Sequence, residues 1–403
     1  MQAGGNPQTL RLMNCAAVLT VLQEVGAARV TELMRATGLS RPTVTAAVST
    51  LIDDGLVEEA ETLEADVPRM GRPARVLRFR ADARYVLGVD VGPHRVYCEV
   101  ADLNGTIVAR QRRDVTAEGD AHANLLDGVE ATMSEVLAKA GVPLSALASV
   151  GVGMPGIVDP RRGAVVQAPS MPGRDFLELG RLLQRNVSCP VHVENDVNLA
   201  AMAERWRGAG SQTDNLLLVQ WGSRVGAAVL LRDQLLRGAH DAAGEIGFVD
   251  LEDEPQGVQA GGHGPLESSV GTAWIVRRAR SLGDDRSTDA AAVLTAAADG
   301  DARALQVVDE VCARLARGLA PFLLAVDPEL VIIGGGIVLA GDAVLTALRH
   351  HLTKRVIVVP RIALSRLGDD AVALGAVHIA LTEAHRRLLD PYTAPNTKPV
   401  TRR

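Results

Sequence analysis

The stretch YVLGVDVGPHRVYCEVAD, residues 85–102, decides how most of this chain folds. An apolar run ends at Asp90, Gly92 allows a tight turn, and a second run alternates apolar with polar side chains, which is the pattern of a β-hairpin. Four similar strand-like runs begin near residues 149, 189, 216 and 328, and helical segments such as 123–140 and 304–326 lie between them. This alternation predicts layers of strands and helices, that is, an α/β fold.

The residues before this hairpin have a different organisation. Residues 9–25 predict a first helix, and residues 30–36 predict a second, short helix with Thr31 available as its N-cap. The turn TGLS then leads to a third helix, capped by Ser40 and with Pro42 in its first turn, which ends at Gly55. We expect the inward face of the first helix to carry Leu10, Met13, Val18, Leu19 and Leu22.

A short helix, a glycine-containing turn and a capped helix form the helix-turn-helix plan, whose second helix enters the major groove of DNA. The segments GLVEEAE and VLRFRAD alternate like the two strands of a wing, and residues 69–84 hold six Arg and one Asp. Arg, Thr and Ser are suited to base edges and to phosphates. The predicted DNA-binding residues are Arg41, Thr43, Thr45 and Ser49 on the helix and Arg69, Arg72 and Arg75 in the wing tip.

Composition and cysteine spacing argue against several classes of protein. The chain of 403 residues is 47% hydrophobic and has a net charge of -6, and no run of about 18 uncharged apolar residues predicts a membrane span. The four cysteines are far apart and contain no C-x-x-C pair, which argues against a disulfide framework or a local metal knuckle. We therefore expect a cytoplasmic protein with no membrane partner.

Together these motifs resemble the ROK family of repressors and sugar kinases, and specifically its winged-helix regulators. The motifs that carry the resemblance are TGLSRPTV, GRPA, VDVG, GMPGIVD, VENDVNLAA, GEIG, PLES, DPELVIIGGGI and ALGAV. The resemblance implies a two-lobed actin-like (ribonuclease-H-like) sensor domain over residues 83–387, after the winged helix-turn-helix of residues 1–82. Residues 388–403 contain three Pro and are expected to form a flexible tail.

The same resemblance implies a sugar site. In the family's kinases the acid of the N-D pair is the general base, so Asp196 holds that place here and Asn195 the place of a sugar-hydroxyl contact. Glu245 in GEIG and Glu267 in PLES match two further sugar-binding carboxylates. Carboxylates suit sugars because each accepts several hydroxyl donors in charge-assisted hydrogen bonds.

The nucleotide loops depart from the kinase pattern. The first loop continues from Asp90 and Gly92 into Pro93, which has no amide donor and little backbone freedom. The second loop begins at Gly222 but has Arg224 where the family has its middle glycine. The third retains the family form as Gly334, Gly335 and Gly336. We therefore expect these six residues, Asp90 and the five glycines, to be vestiges, and we expect no catalytic residue and no sugar kinase activity.

The family's zinc site is also altered. The resemblance implies one histidine at the end of GEIGH and three cysteines, but this chain has Phe248 in the histidine position, and residues 251–269 contain no cysteine. We expect no metal and no cofactor.

These expectations converge on a sequence-specific regulator, a repressor of carbohydrate-related genes, whose partners are a double-stranded DNA operator and a sugar or sugar-derived effector. A two-fold symmetric protein matches a palindromic operator, so a homodimer or a dimer of dimers is expected. Two alternatives stay open: an ATP-dependent sugar kinase that also binds DNA, and a regulator with an unused sugar pocket that a protein partner controls.

Overall fold

The computed structural model describes residues 7–60, 76–115, 121–169, 171, 175–252, 262–284 and 289–389. Within these ranges no helix combines the length and the apolar character needed to cross a membrane. The predicted wing-tip residues Arg69, Arg72 and Arg75 lie outside the described residues. So does the predicted tail from residue 390 onward, and its first two residues belong to the last helix, Ala371–Leu389.

The N-terminal domain is a winged helix-turn-helix, as predicted. It contains three helices and a small antiparallel sheet in the order β1-β3-β2. The third strand, β1, consists of only two residues and was not predicted. The elements are α1 Pro7–Val25, β1 Ala27–Ala28, α2 Val30–Thr37, α3 Arg41–Asp53, β2 Val57–Ala60 and β3 Val76–Phe79.

Local capping explains where the third helix begins and ends. The Ser40 side chain accepts a hydrogen bond from the Thr43 amide at 3.4 Å, and Pro42 lies in the first turn. Gly55, with φ of 74°, follows the helix in the left-handed region. For α2 the cap prediction was wrong: the helix begins at Val30 after Arg29, whose amide donates to Glu32 at 2.7 Å.

The predicted inward face of α1 is correct only toward its C-terminal end. Val18, Leu19 and Leu22 are fully buried, whereas Leu10 is 59% exposed and Met13 is 55% exposed. The first turns of α1 therefore extend beyond the domain core, and apolar spacing alone could not show where the core ends.

The rest of the chain folds into two lobes, each built on a five-stranded mixed sheet. The first sheet has the order β10-β7-β4-β5-β6 and the second the order β13-β12-β11-β14-β15. In both, three successive strands form an antiparallel meander, and the first of them pairs in parallel with a later strand. The same strand plan thus occurs twice, which is the predicted two-lobed actin-like architecture.

In the first lobe the elements are β4 Tyr85–Val91, β5 Arg95–Asp102, β6 Ile107–Asp114, α4 Ala121–Ala140, β7 Leu147–Met154, β8 Ile157–Asp159, β9 Ala164–Gln167, α5 Leu179–Leu183 and β10 Val191–Asn195. Helix α6 Asp196–Arg207 leads to the second lobe, which contains β11 Leu216–Trp221, β12 Val225–Leu231, β13 Gln234–Leu235, α7 Pro265–Val270, α8 Thr272–Ser281, α9 Ala290–Ala298, α10 Ala302–Val326, β14 Leu330–Gly334, α11 Asp342–Thr353 and β15 Arg361–Leu364. The last helix, α12 Ala371–Leu389, returns to the first lobe and packs on β4, β7 and α6.

Candidate functional site

A small cavity of about 110 Å³ lies where the two lobes meet. Its lining includes all four residues predicted to bind a sugar. Asn195 and Asp196 come from the junction of β10 and α6, Glu245 from the turn before the short helix Ile246–Phe248, and Glu267 from α7. Elements that are distant in sequence therefore place one amide and three carboxyl groups around one space.

Asn195 and Asp196 are held by the start of α6. The Asn195 side chain caps the helix, accepting from the Asn198 amide at 3.0 Å, and its Nδ2 donates to the Gly156 carbonyl at 2.9 Å. The Asp196 carboxylate accepts the Val197 amide at 2.9 Å, and burial raises the pKa of Asp196 to about 6. Asp196 is therefore fixed in position by its own helix and directed at the cavity.

Glu245 has fewer restraints than the other acids. Within the described residues, no group donates a hydrogen bond to its carboxylate. Burial, followed by the charges of Asp196 and Glu267, raises the pKa of Glu245 to about 7, and Arg224 opposes this. Its carboxyl group is therefore close to half-protonated at neutral pH and can donate as well as accept.

Glu267 has a structural duty in addition to its place in the cavity. Its Oε1 accepts the Val225 amide at 3.0 Å, and its Oε2 accepts the Gly264 amide at 2.9 Å. The side chain is 5% exposed. Its two hydrogen bonds join the β11–β12 turn to the start of α7. Each oxygen keeps a further acceptor position.

The neighbouring acid, Glu194, points elsewhere. It is 3% exposed and accepts from the Asn198 side chain at 3.0 Å and from Arg237 Nε at 3.1 Å. Removing Arg237 would be costly, because the buried Glu194 charge would lose its partner, whereas Arg237 itself is 39% exposed. In the sequence VEND, the glutamate is thus structural and the aspartate faces the cavity.

Arg224 is a cavity residue that sequence reasoning missed. Its Nη1 donates to the Gly262 carbonyl at 2.9 Å, and its Nη2 donates to the Pro169 carbonyl at 2.9 Å. Its Nη1 also lies 3.5 Å from Glu267 Oε2. Because Pro169 follows β9 of the first lobe, this guanidinium joins the two lobes across the cavity. The signal was present as a bulky residue in a glycine position, but the path of the side chain depends on tertiary contacts.

The predicted nucleotide loops are engaged in local contacts. The Gly92 amide donates to the Arg95 carbonyl at 2.8 Å, and the Gly222 amide donates to the Arg224 carbonyl at 2.9 Å. Asp90 is 5% exposed, with burial raising its pKa to about 7 against the opposing charge of Arg95, 3.7 Å away.

In the third loop, Gly334 to Gly336, packing requires a glycine at Gly335. Gly335 has φ of 82°, and a Cβ there would lie 2.5 Å from the Trp221 carbonyl oxygen.

None of the three tryptophans lines the cavity.

On the predicted DNA-binding surface, Arg41, Thr45 and Ser49 are exposed along α3. Thr43 is half-buried, and its hydroxyl lies 2.8 Å from that of Ser40, so this side chain is partly used by the cap. Arg11 of α1, which sequence reasoning missed, donates to Thr50 of α3 at 2.7 Å and ties the two helices together.

Part of the positive charge of the arginine-rich segment, residues 69–84, is neutralised by neighbouring acids. Arg78 on β3 donates to Glu58 on β2 through its Nε at 2.9 Å, and Arg80 lies 3.4 Å from Asp82. Two of the six arginines in residues 69–84 are therefore partly satisfied within the protein.

The described residues do not fit the family's zinc site. Phe248, in the histidine position, is 37% exposed and contributes a ring without a donor atom to the cavity lining. Across the described ranges, no three residues among His, Cys, Asp and Glu are grouped to hold a metal ion. The cysteines, Cys15, Cys98, Cys189 and Cys312, are all buried and free.

The fold and the cavity define a class of protein: a two-lobed actin-like domain with an N-terminal winged helix. Comparison with known proteins agrees with this class. The ROK family model matches residues 86–383, and the MarR family model matches residues 11–64. The chain belongs to the ROK family.

Its relatives include both regulators and enzymes. The xylose repressor of Caldicellulosiruptor bescii is 23% identical over 395 residues, covering 94% of this chain and 98% of the relative. A glucokinase of Halalkalibacterium halodurans is 31% identical over 314 residues, covering 72% of this chain and 93% of the enzyme. The crystal structure of a ROK family transcriptional regulator, a homologue of the Escherichia coli Mlc protein, has the same fold with a TM-score of 0.76, at 23% identity, covering 94% of this chain and 98% of that chain.

Proposed function

We propose that this chain is a cytoplasmic, sequence-specific DNA-binding regulator, a repressor of carbohydrate-related genes that responds to a sugar or a related metabolite. The observation that carries the proposal is the union of a winged helix with a ROK domain in one chain. The repressor relative covers both parts, whereas the glucokinase relative covers 72% of this chain.

The cavity supports the sensing half of the proposal. Asp196 and Glu245 present carboxyl groups to a space enclosed by both lobes, and sugar hydroxyls are the donors that such groups accept. A sugar that binds one arrangement of the lobes better than another shifts the population toward it. The shift is limited by the ligand's difference in affinity for the two states. In a dimer, that shift would change the spacing of two winged helices on a palindromic operator.

Three features support a regulator without kinase activity, although the family includes glucokinases. Pro93 removes an amide donor from the first loop, Arg224 replaces a glycine in the second, and the Gly222 amide is used internally. A coupled assay with ATP and sugars should therefore detect no turnover. Turnover near 10 per second, an ordinary enzyme rate, would favour the kinase alternative.

We also propose that the protein functions without zinc or another cofactor, on the strength of Phe248 and of a loop without cysteine. Elemental analysis of the purified chain should find no stoichiometric zinc. A stoichiometric metal would contradict this part of the proposal.

The first experiment is a thermal-shift screen of the full chain against pentoses, hexoses, N-acetylated sugars, sugar phosphates and ATP. A ligand that binds only the native state stabilises it by about 2.7 kcal/mol at a hundredfold excess over its dissociation constant. We expect a sugar to raise the melting temperature, and Asp196→Ala to abolish the shift.

A second candidate function is a regulator whose pocket is closed and which a protein partner controls. The small cavity, the Arg224 bridge between the lobes and the apolar Phe248 favour it. No shift with any sugar, together with intact operator binding, would support this candidate over the sugar sensor.

The DNA-binding half of the proposal predicts different roles for two arginines. Arg41 is exposed at the start of α3, whereas Arg78 is paired with Glu58. Arg41→Ala should weaken operator binding and lower the salt slope by about one counterion, and Arg78→Ala should change both less. Fluorescence anisotropy over a range of salt concentrations measures this. Equal slopes for Arg41→Ala and the unaltered protein would argue against a phosphate contact at this helix.

A further inference from the structure

Helix α6 runs from the candidate sugar pocket to the place where the winged helix contacts the first lobe. Asp196, its first residue, lines the cavity, and Trp206 is its penultimate residue. Ten residues of α-helix span about 15 Å. One rigid element therefore carries a pocket carboxylate at one end and a large aromatic ring at the other.

The Trp206 ring lies in a defined stack. Its centroid is 4.9 Å from that of His378 on α12, with 33° between the ring planes, and the Arg207 guanidinium carbon lies 3.7 Å from the Trp206 ring centroid. Arg207 Nη1 also donates to the Gly105 carbonyl at 2.7 Å, in the turn between β5 and β6. The end of α6 is thus fixed to α12 and to this turn.

The same place is where the DNA-binding domain meets the first lobe. Trp206 packs against a buried cluster that includes Leu19 and Leu22 of α1 together with Val377 and Leu381 of α12. The winged helix therefore rests on α12 at the position where α12 receives the end of α6.

Helices α6 and α12 cannot easily move apart or slide independently. A Cβ at Gly375 of α12 would lie 2.1 Å from the Leu199 carbonyl oxygen of α6, so the two backbones are in direct contact at this crossing. Packed elements of this kind move between discrete arrangements rather than deforming continuously. A shift of α6 that begins at Asp196 is consequently passed to α12 and to α1.

We propose that Trp206 is the positioning residue that transmits the state of the pocket to the winged helix, through its stack on His378 of α12. The inference rests on the proposed function, because it concerns how a sugar signal reaches DNA. Trp206 does not line the cavity, and it is not one of the predicted DNA-binding residues. Its removal should therefore leave both binding events in place and disconnect them.

The test separates coupling from binding in the full chain. The operator duplex is selected from a random pool with the unaltered protein, and its affinity is measured with and without saturating D-xylose or D-glucose. Couplings between sites are typically about 5-fold to 150-fold in affinity. In Trp206→Ala we expect the response to fall below about twofold, while the affinities for sugar alone and for operator alone change by no more than about twofold.

A matched control comes from Trp274 of α8, which is also half-buried and has Arg314 4.9 Å from its ring centroid, but lies in the second lobe. Trp274→Ala should keep the full response. Trp206→Phe, which keeps an aromatic ring against His378, should retain most of it. His378→Ala, which removes the stacking partner and keeps the tryptophan, should lower the response and decides the question if Trp206→Ala folds poorly.

The outcomes separate the inference from the proposed function. If the unaltered protein responds and both Trp206 variants respond equally, the transmission role is wrong and the sensor function stands. If the unaltered protein binds the operator but neither sugar changes its affinity, the proposed sugar response fails and the inference fails with it. A response lost in Trp206→Ala but kept in Trp274→Ala supports both.

Discussion

Three buried carboxyl groups of the ROK domain, two of them in the cavity lining, carry an energetic cost that depends on pH. The pKa of Glu245 is raised to about 7, mainly by burial, and those of Asp196 and Asp90 are also raised by burial, to about 6 and about 7. A carboxyl group with a raised pKa in the folded state favours folding at low pH. That contribution is complete below the unfolded pKa of about 4 and is lost as pH rises through the folded value.

Glu245→Gln should therefore stabilise the protein at pH 8 and have little effect at pH 5. We expect a gain of about 1–2 kcal/mol at pH 8, less than the full pKa shift implies because the carboxylate keeps some contact with solvent. Thermal melts of both proteins from pH 5 to pH 8 measure it. Glu252→Gln, at an exposed glutamate, is the control and should give parallel curves. Parallel curves for Glu245→Gln would contradict the raised pKa.

At the scale of elements, the crossing of α6 and α12 has little tolerance for added volume. Gly375→Ala places a Cβ against the Leu199 backbone, which a rotamer change cannot relieve. Overpacking in such a site costs about 1–3 kcal/mol, and the better helix propensity of alanine offsets about 1 kcal/mol of the total cost. Denaturant unfolding should therefore show a net loss of about 1 kcal/mol, and of no more than about 2 kcal/mol. Gly336→Ala is the control, because a Cβ there meets nothing within 4 Å.

The elements that sequence predicted well have local causes. Ser40 and Pro42 fix the start of α3, and the hairpin at residues 85–102 follows from its alternation and its Gly92 turn. The wrongly predicted face of α1 has a tertiary cause. Exposure of Leu10 and Met13 depends on where the domain core ends.

The same division applies to the site. Family motifs brought Asn195, Asp196, Glu245 and Glu267 forward as candidates, and the fold places them together. The role of Arg224 was not predictable, because its partners Pro169 and Gly262 come from two other segments of the chain. Whether these residues bind a sugar stays a prediction.

At the scale of the whole molecule, the DNA-binding domain shares a hydrophobic core with the first lobe. One buried cluster contains residues of α1, α3 and β3 together with Val86, Leu103 and Leu381 of the first lobe. Apolar burial across such a boundary couples the stability of the two sides. A regulator built in this way can pass a change in one lobe to its DNA-binding surface without a flexible linker.

This shared core predicts that the winged helix and the first lobe unfold together. All three tryptophans lie after residue 200, but Trp206 packs against the cluster that α1 shares with the first lobe. The measurement therefore uses Trp206→Phe as its background, in which Trp221 and Trp274 report on the second lobe. Leu22→Ala in α1 removes a fully buried side chain, at a cost of about 2–5 kcal/mol. If the two domains unfold as one unit, the substitution shifts the tryptophan-monitored midpoint in urea, and circular dichroism gives the same midpoint. If the winged helix unfolds alone, circular dichroism shows an earlier step while the tryptophan-monitored midpoint does not change. The coupling through α12 would then be too weak to carry a signal.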